Sequence, residues 1–499
     1  MIAVLAGLVC GALVFVEQDI PGLRVGRAEP FSGSRWRNFR QADMNGNGKT
    51  DLILPDSVAF QHREGFPPEH RHSLPDLGEM PACDIWNATL YFRISSGLVC
   101  VRWSDDGWEI KDEHPLEWPD ADPISSQPGE IPSHGEPAVY FERFLYDLNA
   151  SGTPEIIVAG EDGLHVFADA GDGYAPAGLL DILPPLQLVA SDASPFWPPG
   201  TRRIPSLEMQ LSCRVFITQN KAVTIESDYL PDGHARHRIR HYLLEQDDDG
   251  RWTAALVELR ETPVMDADLR ACRLNDNGLI DFAGGRWHFA PGALLQAPVF
   301  ETRVSTDGGH TFQSVRSVSF RPSCSFTDFN GNGRLDMVTE SSGLFAGGVR
   351  EMVSRLTSAR TVEHSVRIHL QDSTGRFPQQ PDITGAFRID LEQAPVRGGE
   401  RFRRYQASEL FDITGDFDGD GIRDVVVQED ARTLRVYRGT SDGFDKRPLM
   451  TARMEPHWRF AVDDVDGDGR SDIVFRWMDP ASTDGFEQSR VLLTRERMP

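Results

Sequence analysis

Four nine-residue stretches of this chain share one arrangement of carboxylates, amides and glycines, and each runs directly into a short apolar segment. They are Asp43 to Asp51 (DMNGNGKTD), Asp328 to Asp336 (DFNGNGRLD), Asp416 to Asp424 (DFDGDGIRD) and Asp464 to Asp472 (DVDGDGRSD). Oxygen-bearing side chains fall at loop positions 1, 3, 5 and 9, with glycines at 4 and 6. A hard cation such as calcium takes about six to eight oxygens, which a short loop supplies by curling around the ion. Glycine permits the backbone angles that such curling demands. The candidate ligands are Asp43, Asn45, Asn47 and Asp51; Asp328, Asn330, Asn332 and Asp336; Asp416, Asp418, Asp420 and Asp424; and Asp464, Asp466, Asp468 and Asp472. About four calcium ions with a structural role are expected from these donor sets.

The residues after each loop separate this motif from an EF-hand. That motif needs a bidentate Glu at position 12 and then a helix. Position 12 here is Leu54, Thr339, Val427 or Phe475, and the ninth residue opens an apolar run such as Asp424-Val-Val-Val or Asp472-Ile-Val-Phe. Short continuous apolar runs bounded by turn residues read as strands buried on both faces. Two further copies are eroded. Asp147 to Glu155 (DLNASGTPE) keeps oxygens at 1, 3, 5 and 9, whereas Arg273 to Asp281 (RLNDNGLID) places an arginine at position 1. A guanidinium cannot be a ligand and repels a cation. The loop at 147 is therefore expected to bind weakly or not at all, and the loop at 273 to be empty.

The pattern resembles the FG-GAP or VCBS-type repeat of integrin alpha-chain heads and of many secreted bacterial proteins. The Gly-Phe signature of that repeat is echoed at Gly443-Phe444 and Gly485-Phe486. The resemblance implies a loop that joins two strands of a propeller blade. It implies calcium held through positions 1, 3, 5 and 9 plus a backbone carbonyl at 7, here Lys49, Arg334, Ile422 and Arg470.

First positions of successive loops lie 104, 126, 55, 88 and 48 residues apart. The two shortest intervals suit one four-stranded blade, and the longer ones need a blade without a loop or an insertion. The expected fold is all-β, a β-propeller of about seven blades with calcium-binding loops and long inter-strand insertions near 55–140 and 341–364. Residues 19–499 are assigned to it. Pro195-Phe-Trp-Pro-Pro-Gly200 leaves separate domains joined by a linker as the alternative.

Lys plus Arg number 51 against 76 Asp plus Glu, for a net charge of −25. Such a surface repels nucleic acid and anionic membranes. Loops 416 and 464 use four Asp each, loops 43 and 328 two Asp and two Asn. The all-Asp loops are expected to bind metal more tightly. Residues 1–16 carry no charge, so residues 1–18 read as a signal peptide or an N-terminal hydrophobic anchor. Export fits a calcium-rich outside, and the expected location is secreted, periplasmic or cell surface. Cys83, Cys100, Cys213, Cys272 and Cys324 allow up to two disulfides or a set of small buried residues.

Other features have structural explanations. Ser305-Thr-Asp-Gly-Gly-His-Thr-Phe312 resembles the Asp-box turn of sialidase-like propellers, where it is structural. Arg236, Arg238 and Arg240 alternate along one strand face and are expected to pair with nearby acids, although a row of guanidiniums can also grip an acidic polysaccharide. His62, His70 and His72 lack a regular element to aim them at a metal. No nucleophile elbow, phosphate-cradling loop or zinc signature stands out. The reading is a binding, adhesion or scaffold module with a protein or glycan partner at the cell surface or in the matrix. An enzyme of polysaccharide turnover, a lyase or glycosidase with its site on the propeller axis or in the insertions, is the alternative.

Overall fold

A computed structural model describes residues 13–19 and most of 25–496; its longest undescribed internal stretches are 27–35, 120–139, 183–214, 289–298, 343–360, 391–410 and 477–488. The described residues contain no α-helix, and the chain is all-β. Its strands form antiparallel four-stranded meanders that succeed one another along the sequence. Sheet one comprises Arg40–Ala42, Asp51–Ile53, Ser57–Ala59 and Arg71–Ser73. Sheets two to seven begin at Ala82, Leu145, Val215, Arg270, Cys324 and Phe411. Sheet two gains a short fifth strand, Tyr140–Phe141, and sheets three and four touch edge to edge through the single pairing Gly178↔Trp252. Sheet eight comprises Arg459–Asp463, Asp472–Arg476 and Ser489–Glu496, and its fourth strand is Leu13–Asp19 from the other end of the chain.

The apolar runs that follow the loops are continuous because those inner strands are covered on both faces by different neighbours, as in Asp51–Ile53 and Asp424–Gln428. Leu52 packs toward sheet eight and Ile53 toward sheet two. Val425 and Val427 pack against sheet six, whereas Val426 between them packs against sheet eight. This is the period-2 alternation of a strand, with apolar partners on both sides. Eight core clusters each draw on two consecutive sheets, and one of them joins sheet eight back to sheet one through Val474, Val491, Leu52 and Phe66. A circular succession of packed antiparallel sheets is a β-propeller-like arrangement.

Three observations refine the expected architecture. Among the described residues the strands group into eight consecutive antiparallel sets, two of them joined edge to edge, beside the about seven blades that the sequence spacing predicts. Sheets two and four have no acidic loop between their first two strands, so the intervals of 104 and 126 residues each span two sheets. In sheet two the connection is the two-residue turn Asn87-Ala88, with φ of 46° and 57°. Second, much of the expected insertion at 55–140 is sheet material: Ser57–Ala59, Arg71–Ser73 and the four strands from Ala82 to Pro115. Its polar look comes from the outermost strand, Gly107–Pro115, which is largely exposed. Third, Leu13–Asp19, which overlaps the end of the segment 1–18 read as a signal peptide or anchor, pairs in register with Ser489–Glu496, from Leu13↔Glu496 to Asp19↔Arg490. Residues 1–12, 195–200, 343–360 and the Gly485-Phe486 pair lie outside the described residues. No helix among the described residues is long and apolar enough to cross a membrane.

Candidate metal centres

Each nine-residue loop connects the first and second strands of its sheet, so all of them occupy equivalent places in the repeat. Position 1 organises the curl. Asp43 accepts the amides of Asn47 and Gly48 at 3.0 and 2.8 Å, and Asp328 those of Asn332 and Gly333 at 2.9 and 2.8 Å. Asp464 accepts from Asp468 and Gly469, whereas Asp416 accepts from Gly419 and Gly421. The amide of position 7 then donates to the side chain of position 5, as Arg334 does to Asn332 and Arg470 to Asp468. Glycines 4 and 6 sit in the left-handed region, for instance Gly331 at φ 68° and Gly333 at 81°. At two of the position-4 glycines a side chain would also collide: a Cβ on Gly331 would lie 2.5 Å from the Gly421 carbonyl of the next loop, and one on Gly467 2.2 Å from the Thr50 hydroxyl.

Position 9 is a buried clamp. Asp51, Asp336, Asp424 and Asp472 are fully buried, and in each the two carboxylate oxygens accept one amide apiece. One amide is that of position 2: Met44, Phe329, Phe417 or Val465, at 2.8 to 3.0 Å. The other belongs to the third strand or the residues just after it: Gln61, Gln371, Gly439 or Thr494, at 2.8 to 2.9 Å. A carboxylate oxygen has lone pairs for a further partner, so these bonds leave coordination open. Burial raises Asp51 and Asp336 to about 6 and Asp424 to about 7, and lifts Asp472 well above the ordinary carboxylate range. Burial likewise raises Asp464 to about 6, and it raises Asp418 and Asp466 despite the arginine beside each.

Two of the donor sets bring together carboxylates that could hold a metal ion. One oxygen each from Asp416, Asp418 and Asp420 lie within 4.8 Å of one another, as do those from Asp464, Asp466 and Asp472. In the loop at 328 the Asn330 Oδ1 is buried without a hydrogen-bond partner, a state that costs free energy unless a ligand completes it. The eroded loops keep the frame: Asp147 still accepts Ser151 and Gly152, and Glu155 accepts Leu148. Arg273 is exposed, and Asp281 retains a clamp to Leu274 with its other oxygen unpartnered.

Residues 416–475 match the family model for an FG-GAP-like repeat. The chain carries an FG-GAP-like repeat. That match spans the loops at 416 and 464, which hold the two three-carboxylate clusters. The Phe444 ring of the Gly443-Phe444 pair packs on Phe329 and Phe387 of the neighbouring sheet. No curated protein matches the chain.

Outside the nine-residue loops, the Asp-box segment is a turn, with Asp307 accepting the Thr311 amide and Ser305 Oγ accepting that of Gly309. Arg236, Arg238 and Arg240 meet Glu261 and Glu226 across the strand, as expected of a solvated face. His62 and His70 stack at 3.6 Å, and His72 packs on Phe60 and Trp103. Among the described residues, Cys83, Cys100, Cys272 and Cys324 are free thiols, and Cys213 lies outside them. Sequence reasoning missed Ser471, Arg438 and Arg495, which contact the loops across long sequence separations that loop spacing does not register.

Proposed function

We propose that this chain is a calcium-stabilised β-propeller of eight blades that serves as a binding, adhesion or scaffold module, secreted or displayed at the cell surface. Its partner would be a protein or glycan of the surface or matrix. The observation that carries the reading is the shared frame of the four complete loops. Each places oxygen donors at equivalent positions over a buried carboxylate clamp. An ion in each loop ties the first strand to the second and offsets carboxylate repulsion, so its binding energy adds to folding stability by mass action. FG-GAP-like repeats occur in adhesion and binding modules, which agrees with a ring whose acid-rich loops are structural. The likeness to integrin alpha heads enters as part of this proposal, and calcium is its cofactor.

Two measurements test it. Thermal melting in calcium and in EDTA should differ by several degrees, and identical curves would remove the metal from the reading. A glycan and matrix-protein binding screen, run with and without chelator, should show a retained ligand. Turnover of an acidic polysaccharide in that screen, with no stable binding, would shift the reading to a polysaccharide-processing enzyme.

A further inference from the structure

The two loops richest in carboxylate each have an arginine laid across them. Arg438 stands on the strand Thr433–Thr440, next to Gly439, whose amide binds the clamp Asp424. Its Nε lies 2.6 Å from Asp418 and its terminal nitrogen 2.7 Å from Asp420. Arg495 stands on Ser489–Glu496, next to Thr494, whose amide binds the clamp Asp472. It contacts Asp466 and lies 3.1 Å from Asp468. In both loops one guanidinium bridges positions 3 and 5. It arrives from opposite sides of the clamp-binding residue, at 438 before it and at 495 after it. The same placement reached from two different sequence positions argues that the loop itself demands the charge.

The loops at 43 and 328 supply the contrast. Their positions 3 and 5 are the neutral amides Asn45, Asn47, Asn330 and Asn332, and no cation among the described residues bridges either pair. Arginine thus accompanies the extra carboxylates and is missing where amides replace them. A divalent ion bound by positions 3 and 5 would sit close to that guanidinium, and like charges at such range in a half-buried site repel strongly. The Asp466 side chain is fully buried, so this pair is poorly screened by water.

We infer that Arg438 and Arg495 are resident counterions of the two all-Asp loops, competing with the divalent cation for positions 3 and 5. They hold the metal-free loop together and lower its affinity for the ion. This rests on the metal reading above, and it narrows the affinity gap that composition alone predicts between all-Asp and Asn-containing loops.

The test is calorimetric calcium titration of the full chain and of Arg438→Gln, Arg495→Gln and the matching lysine variants, with melting in EDTA alongside. Each glutamine variant should bind calcium about tenfold more tightly at one site, because a nearby positive charge is gone. Each should also melt at a lower temperature in EDTA, and lysine should keep affinity near that of the parent. Calcium binding to the parent that the glutamine variants leave unchanged or weaken would overturn the counterion role alone. Binding by neither parent nor variants would overturn it together with the metal reading.

Discussion

The Ser471 amide donates to the Asp416 carbonyl at 2.7 Å, and the Asp416 amide donates back to the Ser471 hydroxyl at 2.9 Å. Position 8 of the loop at 464 and position 1 of the loop at 416 are thus joined reciprocally. One-way bonds join other neighbouring sheets at the same level. Leu335 donates to Leu274 and Arg423 to Phe329, at 2.8 and 2.7 Å, and Gln41 donates to the Asp464 carbonyl at 2.8 Å. The loops are therefore shared fastenings between neighbouring sheets as well as corners within one sheet.

Replacing Ser471 with Ala removes the acceptor for a buried amide and leaves the backbone bond in place. It should cost about 1–2 kcal/mol. Denaturant unfolding in EDTA measures this, and an unchanged midpoint would show the side-chain half of the stitch to be idle.

Asp336→Ala deprives two buried amides, those of Phe329 and Gln371, of their acceptor at once. The expected loss is about 3 kcal/mol in EDTA, where no metal contribution is at stake. Asp336→Asn keeps one oxygen and should lose less. A loss in calcium alone would make position 9 a ligand with no clamp role.

The pH dependence comes from the same burial. Asp51 and Asp336 rise to about 6 and Asp424 to about 7 from an ordinary 3.8. Between those values the folded chain holds protons that the unfolded chain has released, so metal-free stability falls as pH rises from about 4 to about 7. Calcium favours the ionised form, so its stabilising increment should be larger at about pH 7.5 than at about pH 5.5. Melting curves at both values, with and without EDTA, check the sign, and a larger increment at the lower pH would contradict it.

Ala150 occupies position 4 of the eroded loop at 147 with φ 56°, where the complete loops have glycine. Left-handed backbone strains an L-residue, so Ala150→Gly should stabilise the chain by about 0.5 kcal/mol after glycine's own entropic cost. Differential scanning calorimetry would register a rise in the midpoint, and a fall would mean that the loop tolerates alanine without strain.

The loop frame was legible because it is local: donors at positions 1, 3, 5 and 9, glycines at 4 and 6 and the strand after them all lie within a dozen residues. The strands of sheet two were not, since Gly107–Pro115 exposes the face that marks it as polar and Asn87-Ala88 turns without an acidic loop. The seam between the chain ends was equally hidden, because the apolar character of residues 13–16 suits a closing strand and an export signal alike.

By itself the sequence determined the all-β character, the equivalent loops and their hard oxygen donors, since each depends on spacing within a turn or a strand. Tertiary structure alone decided that there are eight meanders, that Leu13–Asp19 completes the last of them, and that Arg438 and Arg495 bridge the acidic loops. Those facts depend on pairings made between distant segments, whose partners are chosen by packing and charge in space and leave no periodic trace along the chain.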